Sequence, residues 1–163
     1  MNLPLTDISV IKKLLQKRGT APKRAMGQNF LICPEVVEAS VEVLRAGPPI
    51  VTELGAGLGA LTQGLLAADF TVRAIEKDDE LARTLQKELQ KKFPLEVIHD
   101  DLQSVDWAHE KPYQIAGNIP YNLSGLIIRR IVTAEPTPAQ ALLLVQEEVA
   151  KRILAEPPQM SML

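Results

Sequence analysis

The apolar residues of this chain follow two different spacings. Short runs rich in β-branched residues have the composition of buried strands, and the longer segments between them repeat apolar residues at the i, i+3 and i+4 spacing of a helix. The predicted strands are 50–54, 70–76, 95–99, 113–117 and 139–146. The predicted helices span 34–47, 78–92 and 124–132, and two more begin near Leu61 and at Glu147.

Strands that alternate with helices predict a doubly wound α/β sheet, mostly parallel and covered by helices on both faces. Such Rossmann-like sheets bind ligands beyond the carboxyl ends of their strands, where the strand order reverses. Residues unusual for a strand interior stand at four of these ends: Gly55, Glu76, Asp101 and Asn118. We therefore expect these four residues to meet in one crevice.

The composition is that of a folded protein without a membrane anchor. Hydrophobic residues make up 46% and charged residues 23% of the 163 positions, which are ordinary values for a globular domain. No apolar run approaches the ~18 residues that span a bilayer, and the start of the chain lacks the pattern of a signal peptide. Cys33 is the one cysteine, and His99 and His109 stand apart. We therefore expect no internal disulfide, no metal site and a cytoplasmic location.

The first thirty residues carry a local positive charge, although the whole chain has a net charge of −2. Against the single acid Asp7 stand six basic residues: Lys12, Lys13, Lys17, Arg18, Lys23 and Arg24. We expect a basic N-terminal arm or helix over residues 1–21 that binds phosphates, ahead of a core over residues 22–163. A solvated terminal helix would explain the same charges and remains an alternative.

A glycine-rich loop follows the first predicted strand. Gly55, Gly57 and Gly59 allow a ligand to approach the backbone without a Cβ in its way. Glu76 comes 21 residues after Gly55, where a carboxylate can accept hydrogen bonds from both hydroxyls of a ribose. Asp101, at the end of the third strand, can accept from the amine of an adenine. The pattern predicts an adenosine-bearing ligand, with S-adenosylmethionine (SAM) and NAD(P) both possible and a purely structural turn as the alternative.

The stretch "GNIPYN" over residues 117–122 is unsuited to the inside of a strand and suited to holding an amine. The side-chain oxygen of Asn118 and the carbonyl of Ile119 can accept the hydrogens of an adenine amine and so localise its lone pair. Pro120 fixes the backbone at that point, and Tyr121 offers a ring on which an unpaired base can stack. Alkylation of the amine then needs no general base, because the alkylated nitrogen loses its proton to solvent.

Five stretches together resemble one family. They are "PKRAMGQNFL" (22–31), "ELGAGLGALT" (53–62), "AIEKDDELA" (74–82), "GNIPYN" (117–122) and "VQEEVAKRI" (145–153). "NIPY" resembles the N-[LIP]-P-[YF] motif of SAM-dependent N6-adenine methyltransferases, and the set resembles the small-subunit ribosomal RNA adenine dimethyltransferase family. The resemblance implies SAM as cofactor and dimethylation of two adjacent adenosines near the 3′ end of 16S rRNA in the small ribosomal subunit. The basic residues at 12–24 would then contact rRNA phosphates.

The resemblance also implies a role for individual residues. Those expected to close over SAM are Gln28, Asn29 and Leu31. Gly55 and Gly57 are expected to contact the methionine part of SAM, and Glu76 is expected to contact its ribose. The adenine is expected to contact Asp101 and Leu102. Asn118 would lie between the methyl donor and the acceptor. The expected catalytic set is Asn118, Ile119 and Tyr121.

Three other functions remain open at this stage. An NAD(P)-dependent oxidoreductase would use the glycine loop and Glu76 but would leave "NIPY" and "GQNFL" without a role. The erythromycin-resistance methyltransferases, which modify an adenine of 23S rRNA, have a very similar "NIPYN" stretch. An assembly factor that binds immature small subunits without turnover would use SAM only structurally; the acceptor-amine motif argues for chemistry, and a dual role stays open.

The chain departs from the family at its C-terminal side. The family continues past the fifth strand with two further strands and a small helical domain, whereas this sequence stops at Leu163. We therefore expect a truncated core, monomeric when full length, whose own turnover is an open question. We also expect uncovered apolar surface on the fifth strand and the helix after it.

Overall fold

The computed structural model describes residues 5–17 and 29–155 of the chain. Its helices are α1 Ile8–Lys17, α2 Pro34–Leu44, α3 Ala60–Ala67, α4 Asp79–Leu85, α5 Ser124–Val132 and α6 Glu147–Ile153. Its strands are β1 Ile50–Leu54, β2 Thr71–Glu76, β3 Leu95–His99, β4 Gln114–Asn118 and β5 Ala141–Leu144. Helix α4 continues into a π-helical turn at Gln86–Gln90, and a 3-10 turn at Tyr121–Leu123 leads into α5.

The strands form one parallel sheet in the order β3-β2-β1-β4-β5. The chain moves outward from β1 to β3 and then returns to place β4 on the other side of β1. The strand order therefore reverses between β1 and β4, and this is the position at which such sheets bind ligands. The predicted doubly wound α/β fold is confirmed.

The burial of each strand explains why its sequence reads as it does. In the central strand β1, Val51 to Leu54 are all buried, so the strand is a continuous run without polar alternation. In β3, at one edge, buried Leu95 and Val97 alternate with exposed Glu96. Strand β5, at the other edge, is shorter than the predicted 139–146, because its pairing with β4 extends only from Ala141 to Leu144.

Two apolar layers cover the sheet, one on each face. On one face Val51, Val72 and Ala74 pack with Leu44 of α2 and Leu65 of α3. On the opposite face the layer includes residues from β1, β2, β4, α5 and the β3–β4 connection, among them Leu54, Ile75, Ile115, Ile127, Trp107 and Tyr113. Neighbouring residues of β1 and β2 enter opposite layers, as the two-residue repeat of a strand requires.

Helix α1 packs on the core through its apolar face. Buried Ile11 and Leu15 contact a small cluster that contains Leu58 and Leu81. Lys12 and Lys13 lie on the exposed side of the same helix. Lys17 is its last residue, and Arg18, Lys23 and Arg24 fall outside the described residues. The boundary between residues 1–21 and 22–163 remains a prediction.

No helix within residues 5–17 and 29–155 has both the length and the apolar character needed to cross a membrane. In the same residues there is no group of three or more His, Cys, Asp or Glu side chains that could hold a metal ion.

Candidate active site

The carboxyl ends of β1, β2, β3 and β4 surround a cavity of about 370 Å³. This volume lies within the range of small-molecule sites, about 300–1,000 Å³. The wall includes seven residues that the sequence assigned to the cofactor: Asn29, Gly55, Gly57, Glu76, Asp101, Leu102 and Asn118. The expectation that these strand ends converge on one crevice is therefore met.

The other expected site residues lie near this cavity or outside it. Leu31 lines a smaller adjoining cavity of about 30 Å³, which shares Asn29, Gly55 and Asn118 with the larger one. Ile119 is buried at 5% exposure within the core, so any contact with a ligand goes through its backbone. Tyr121 is 53% exposed and does not belong to the cavity wall. Gln28 falls outside the described residues.

Several wall residues escaped the sequence reasoning. They are Phe30, Lys77, Gln103, Pro120, Asn122 and Leu123. All of them except Leu123 stand beside an expected site residue in the sequence, so the neighbours of those residues were the available signal. The sequence could not show which of these neighbours turn inward, because that depends on the turn that follows each strand.

The glycine loop adopts a backbone conformation that favours glycine. Gly55 and Gly57 have φ angles of 73° and 59°, a region that side chains with a Cβ rarely adopt. The amide of Gly55 donates to the carbonyl of Ile75 at 2.9 Å, which ties the loop to the end of β2. A Cβ on Gly57 would lie 3.6 Å from the ring of Phe30. The ring of Phe30 therefore packs against the glycine loop at Gly57.

Glu76 is held at the end of β2 by two backbone amides. Its Oε2 accepts from the amide of Gly57 at 2.7 Å, and its Oε1 accepts from the amide of Asp78 at 2.8 Å. Burial raises the pKa of Glu76, and the hydrogen bonds from the amides of Asp78 and Gly57 oppose that rise. Glu76 does not cap the helix that follows, because Asp78 caps α4 by accepting from the amides of Glu80 and Leu81.

Asp101 is an ionised acceptor in the wall of the same cavity, after the neighbouring strand β3. Its Oδ2 accepts from Nζ of Lys77 at 2.6 Å, and its Oδ1 accepts from the amide of Gln103 at 2.9 Å. The hydrogen bond from Lys77, followed by that from Gln103, holds the pKa of Asp101 below its usual value. Leu102, at 5% exposure, adds an apolar surface beside this carboxylate.

"GNIPYN" places an amide at the point where β4 leaves the sheet. A Cβ on Gly117 would lie 2.5 Å from the carbonyl oxygen of Leu54, so only glycine allows β4 to approach β1 this closely. The next residue, Asn118, lines both cavities. Its Nδ2 donates to the carbonyl of Asn29 at 2.8 Å. Because a carbonyl can only accept, this bond fixes the amide nitrogen and leaves Oδ1 to act as the acceptor.

Glu53 is a buried carboxyl that the sequence reasoning missed. It is 2% exposed, lines the smaller cavity, and its Oε2 accepts from the hydroxyl of Thr62 at 2.6 Å. Burial raises the pKa of Glu53 to about 8, with a further rise from the charge of Glu76 and an opposing effect of the Thr62 hydrogen bond. The residue is therefore protonated in the folded protein at neutral pH.

A family model described as ribosomal RNA adenine dimethylase matches residues 19–162. The chain belongs to this family. Its relatives include the ribosomal RNA small subunit methyltransferase A of Leifsonia xyli subsp. xyli, 36% identical over 95% of this chain and 58% of the relative. The protein of the same name from Deinococcus radiodurans is 35% identical over 96% of this chain and 53% of its own length. The chain thus spans somewhat more than half the length of these curated relatives.

Two solved structures share the fold and more than a quarter of the aligned residues. A dimethyladenosine transferase from Plasmodium falciparum is 28% identical with a TM-score of 0.65, covering 76% of this chain and 46% of that one. The 23S rRNA methyltransferase ErmE is 27% identical with a TM-score of 0.67, covering 76% and 50%. The predicted family is confirmed, and the enzyme class of that family is SAM-dependent methyltransferase.

Proposed function

We propose that this protein methylates the N6 amine of adenosines in ribosomal RNA with SAM as the methyl donor. The observation that carries the proposal is the meeting of Asn118 with Gly55, Glu76 and Asp101 around one cavity. Each of these residues serves a different part of the reaction, and the family membership of the chain supports the same activity.

The cavity has the donors and acceptors that SAM requires. Both carboxylate oxygens of Glu76 have lone pairs left after accepting from backbone amides, so they can accept from the ribose hydroxyls. Asp101 can accept from the adenine amine, and Leu102 supports the ring. The backbone at Gly57 leaves room for the methionine part. When bound, SAM supplies an electrophilic methyl group on a sulfonium.

Asn118 and Ile119 hold the acceptor amine in the reactive arrangement. The lone pair of the adenine amine is delocalised into the ring, and two acceptors aimed at its hydrogens favour the localised form. The Oδ1 of Asn118 is one acceptor, since its Nδ2 is committed to Asn29. The carbonyl of Ile119 is the other, and Pro120, with φ of −61°, restricts the backbone that follows it. Holding nucleophile, methyl carbon and sulfur in line then lowers the barrier, and the methylated nitrogen releases its proton to water.

Tyr121 stands where it can receive a base. Its side chain is about half exposed in the 3-10 turn directly after Pro120. An adenine taken out of its RNA stack could lie on this ring, a contact worth ~1–3 kcal/mol per base. The contact would place the amine of that base beside Asn118.

We propose two adjacent adenosines near the 3′ end of 16S rRNA as the substrate, each methylated twice, within the small ribosomal subunit. The names of the curated relatives, ribosomal RNA small subunit methyltransferase A, support the small subunit. Exposed Lys12 and Lys13 of α1 are available for RNA phosphates. We propose the same contacts for Lys17, Arg18, Lys23 and Arg24 from their charge alone. We propose that the protein acts in the cytoplasm and that the full-length protein is a monomer.

A second candidate substrate is an adenine of 23S rRNA. The likeness to ErmE, with a TM-score of 0.67, favours it on structural grounds. The two candidates differ only in the RNA, so the same cofactor site serves both, and the test must separate them by substrate.

The decisive experiment combines cofactor binding with transfer of a labelled methyl group. We expect this chain to bind SAM in the micromolar range by isothermal titration and to show no heat with NADH. With radiolabelled SAM, a full-length version of the protein, and undermethylated small subunits and unmodified large subunits offered in parallel, we expect label on adenosines near the 3′ end of 16S rRNA and none with the Asn118→Ala variant. Label on 23S rRNA would establish the second candidate. SAM binding without label on either RNA would support a non-catalytic assembly role, and NADH binding without SAM binding would overturn the proposal.

A further inference from the structure

The turn that carries Asp101 is short and ends in two carbonyls. After β3, the carbonyl of Asp101 accepts from the amides of Ser104 and Val105 at 3.1 and 3.0 Å, so residues 101–105 form one tight turn. The carbonyls of Leu102 and Val105 stand at the far end of this turn and need donors from elsewhere in the protein. Leu102 is at the same time part of the cavity wall.

Arg130 supplies both donors. One guanidinium nitrogen of Arg130 donates to the carbonyl of Leu102 at 2.5 Å, and another donates to the carbonyl of Val105 at 2.6 Å. The guanidinium carbon also lies 4.0 Å from the centroid of the Trp107 ring, and Trp107 is 3% exposed. Hydrogen bonds from a charged, planar fork are both stronger and more directional than those between neutral groups.

Because Arg130 belongs to α5, its hydrogen bonds connect two different parts of the site. Arg130 belongs to α5, the helix that follows "GNIPYN" after a single 3-10 turn. The turn of residues 101–105 holds the adenine acceptor Asp101, while β4 and α5 flank Asn118. Arg130 is thus a direct polar link between the element that holds the adenine and the element that holds the target amine.

We propose that Arg130 is a positioning residue that sets the adenine subsite of the cofactor pocket relative to the catalytic strand end. This inference rests on the proposed function, since it assumes that Asp101 and Leu102 receive the adenine of SAM. The guanidinium itself touches neither ligand. Its effect passes through the backbone of Leu102 and Val105, and through the turn to the carboxylate of Asp101.

The test measures recognition of the adenine amine, because a merely structural role would leave that recognition unchanged. The probes are S-adenosylhomocysteine and its inosine counterpart, which lacks the exocyclic amine, titrated into this chain by calorimetry. We expect Arg130→Met to raise the Kd for S-adenosylhomocysteine about tenfold or more. The Kd for the inosine analogue should rise much less, so the ratio of the two Kd values should move closer to one. The matched control is Arg129→Met, which removes the exposed neighbouring arginine of α5 and should leave both Kd values within about twofold.

Two further measurements keep the proposal testable if Arg130→Met folds poorly. Arg130→Lys keeps the positive charge but replaces the two-pronged guanidinium by a single ammonium group. We expect it to change the ratio of the two Kd values in the same direction as Arg130→Met, by a smaller amount. In the pair Asp101→Ala and Arg130→Lys, the double variant should lose less binding than the sum of the single losses, because both act on the same contact.

The outcomes separate this inference from the proposed function. If the unmodified chain binds neither SAM nor S-adenosylhomocysteine, the proposed function fails. If the unmodified chain discriminates between the two probes and Arg130→Met discriminates equally well, only the positioning role is overturned. Additive losses in the double variant would likewise show that Arg130 does not act through Asp101.

Discussion

The centre of the sheet is almost fully buried, whereas its β5 edge is partly accessible to solvent. Residues Val51 to Leu54 of β1 are buried without exception, and the carboxyl ends of β1 and β4 carry the site. At the other edge, β5 is at most half-buried, and Val132 and Leu154 are 72% and 78% exposed. The expectation of apolar surface near β5 and α6 is therefore met in the described residues. The difference teaches that the cavity belongs to the central strands, since within the described part of the chain no residue of β5 or α6 lines it.

Removing the amide of Asn118 should have the largest effect of any change at the centre. We expect Asn118→Ala to abolish methyl transfer while SAM binding changes by less than about tenfold, equivalent to ~1.4 kcal/mol. Asn118→Asp keeps an acceptor oxygen but loses the donor to Asn29, so residual turnover should be small. Methyl transfer and calorimetric binding are the measurements, and normal turnover by Asn118→Ala would contradict the assigned role.

Adding one methyl group at the centre should cost more than adding two at the edge. Gly117→Ala places a Cβ 2.5 Å from the backbone oxygen of Leu54, so β1 and β4 must separate. We expect a loss of about 1–3 kcal/mol in the free energy of unfolding. Ala141→Val adds its methyl groups at an exposed position of β5 and should change that free energy by less than about 0.5 kcal/mol. Equal losses in urea unfolding would show that centre and edge are packed alike.

The buried carboxyl of Glu53 should make stability depend on pH. The folded protein holds this proton up to a pH of about 8, whereas the unfolded chain releases it near 4.5. Over that window the folded state binds more protons, so stability should fall as the pH rises from about 4.5 through about 8. Glu53→Gln cannot lose a proton, and its Tm should fall less over the same window.

The control for this effect is Glu38→Gln, at an exposed position of α2. Its Tm should follow that of the unmodified chain at every pH. A slope should remain in Glu53→Gln, because the raised pKa of Glu76 acts in the same direction. Identical slopes in Glu53→Gln and the unmodified chain would show that Glu53 does not titrate as its burial requires.

The smallest effect on stability is expected at the edge itself. Replacing Ile153 and Leu154 by serine removes exposed apolar surface. The free energy of unfolding should therefore change by less than about 0.5 kcal/mol. Self-association, measured by sedimentation, should decrease. Lys151→Ser on the same helix serves as the polar control and should leave association unchanged. If the apolar and polar replacements behave alike, this edge does not drive association.

Sequence reasoning found the architecture because strand and helix spacings are local properties. It also found most of the cavity wall, since Gly55, Glu76, Asp101 and Asn118 are unusual residues at strand ends. The shortened β5 was not foreseeable, because its limits depend on pairing with β4.

The role of Arg130 was not foreseeable either. Its partners are backbone carbonyls 28 and 25 residues away in the chain. Backbone carbonyls carry no trace in a sequence, so a side chain that binds them looks like any other basic residue on a helix. Glu53 was hidden for a related reason: a carboxyl inside a run such as "IVTEL" shows its burial only when the neighbouring strands are in place.

The hydrogen bond between Asn118 and the carbonyl of Asn29 has one more consequence. It spans 89 positions of the chain and commits the amide nitrogen of Asn118 to the carbonyl of Asn29, which leaves the amide oxygen for the base of the proposed reaction. Any displacement of the strip that precedes α2 would free the amide to rotate by half a turn and present hydrogens to an amine that also carries hydrogens. If Asn118 holds the target amine as proposed, the orientation of its amide depends on a peptide group outside the sheet, and substitutions near Asn29 should lower methyl transfer while the cavity keeps its other wall residues.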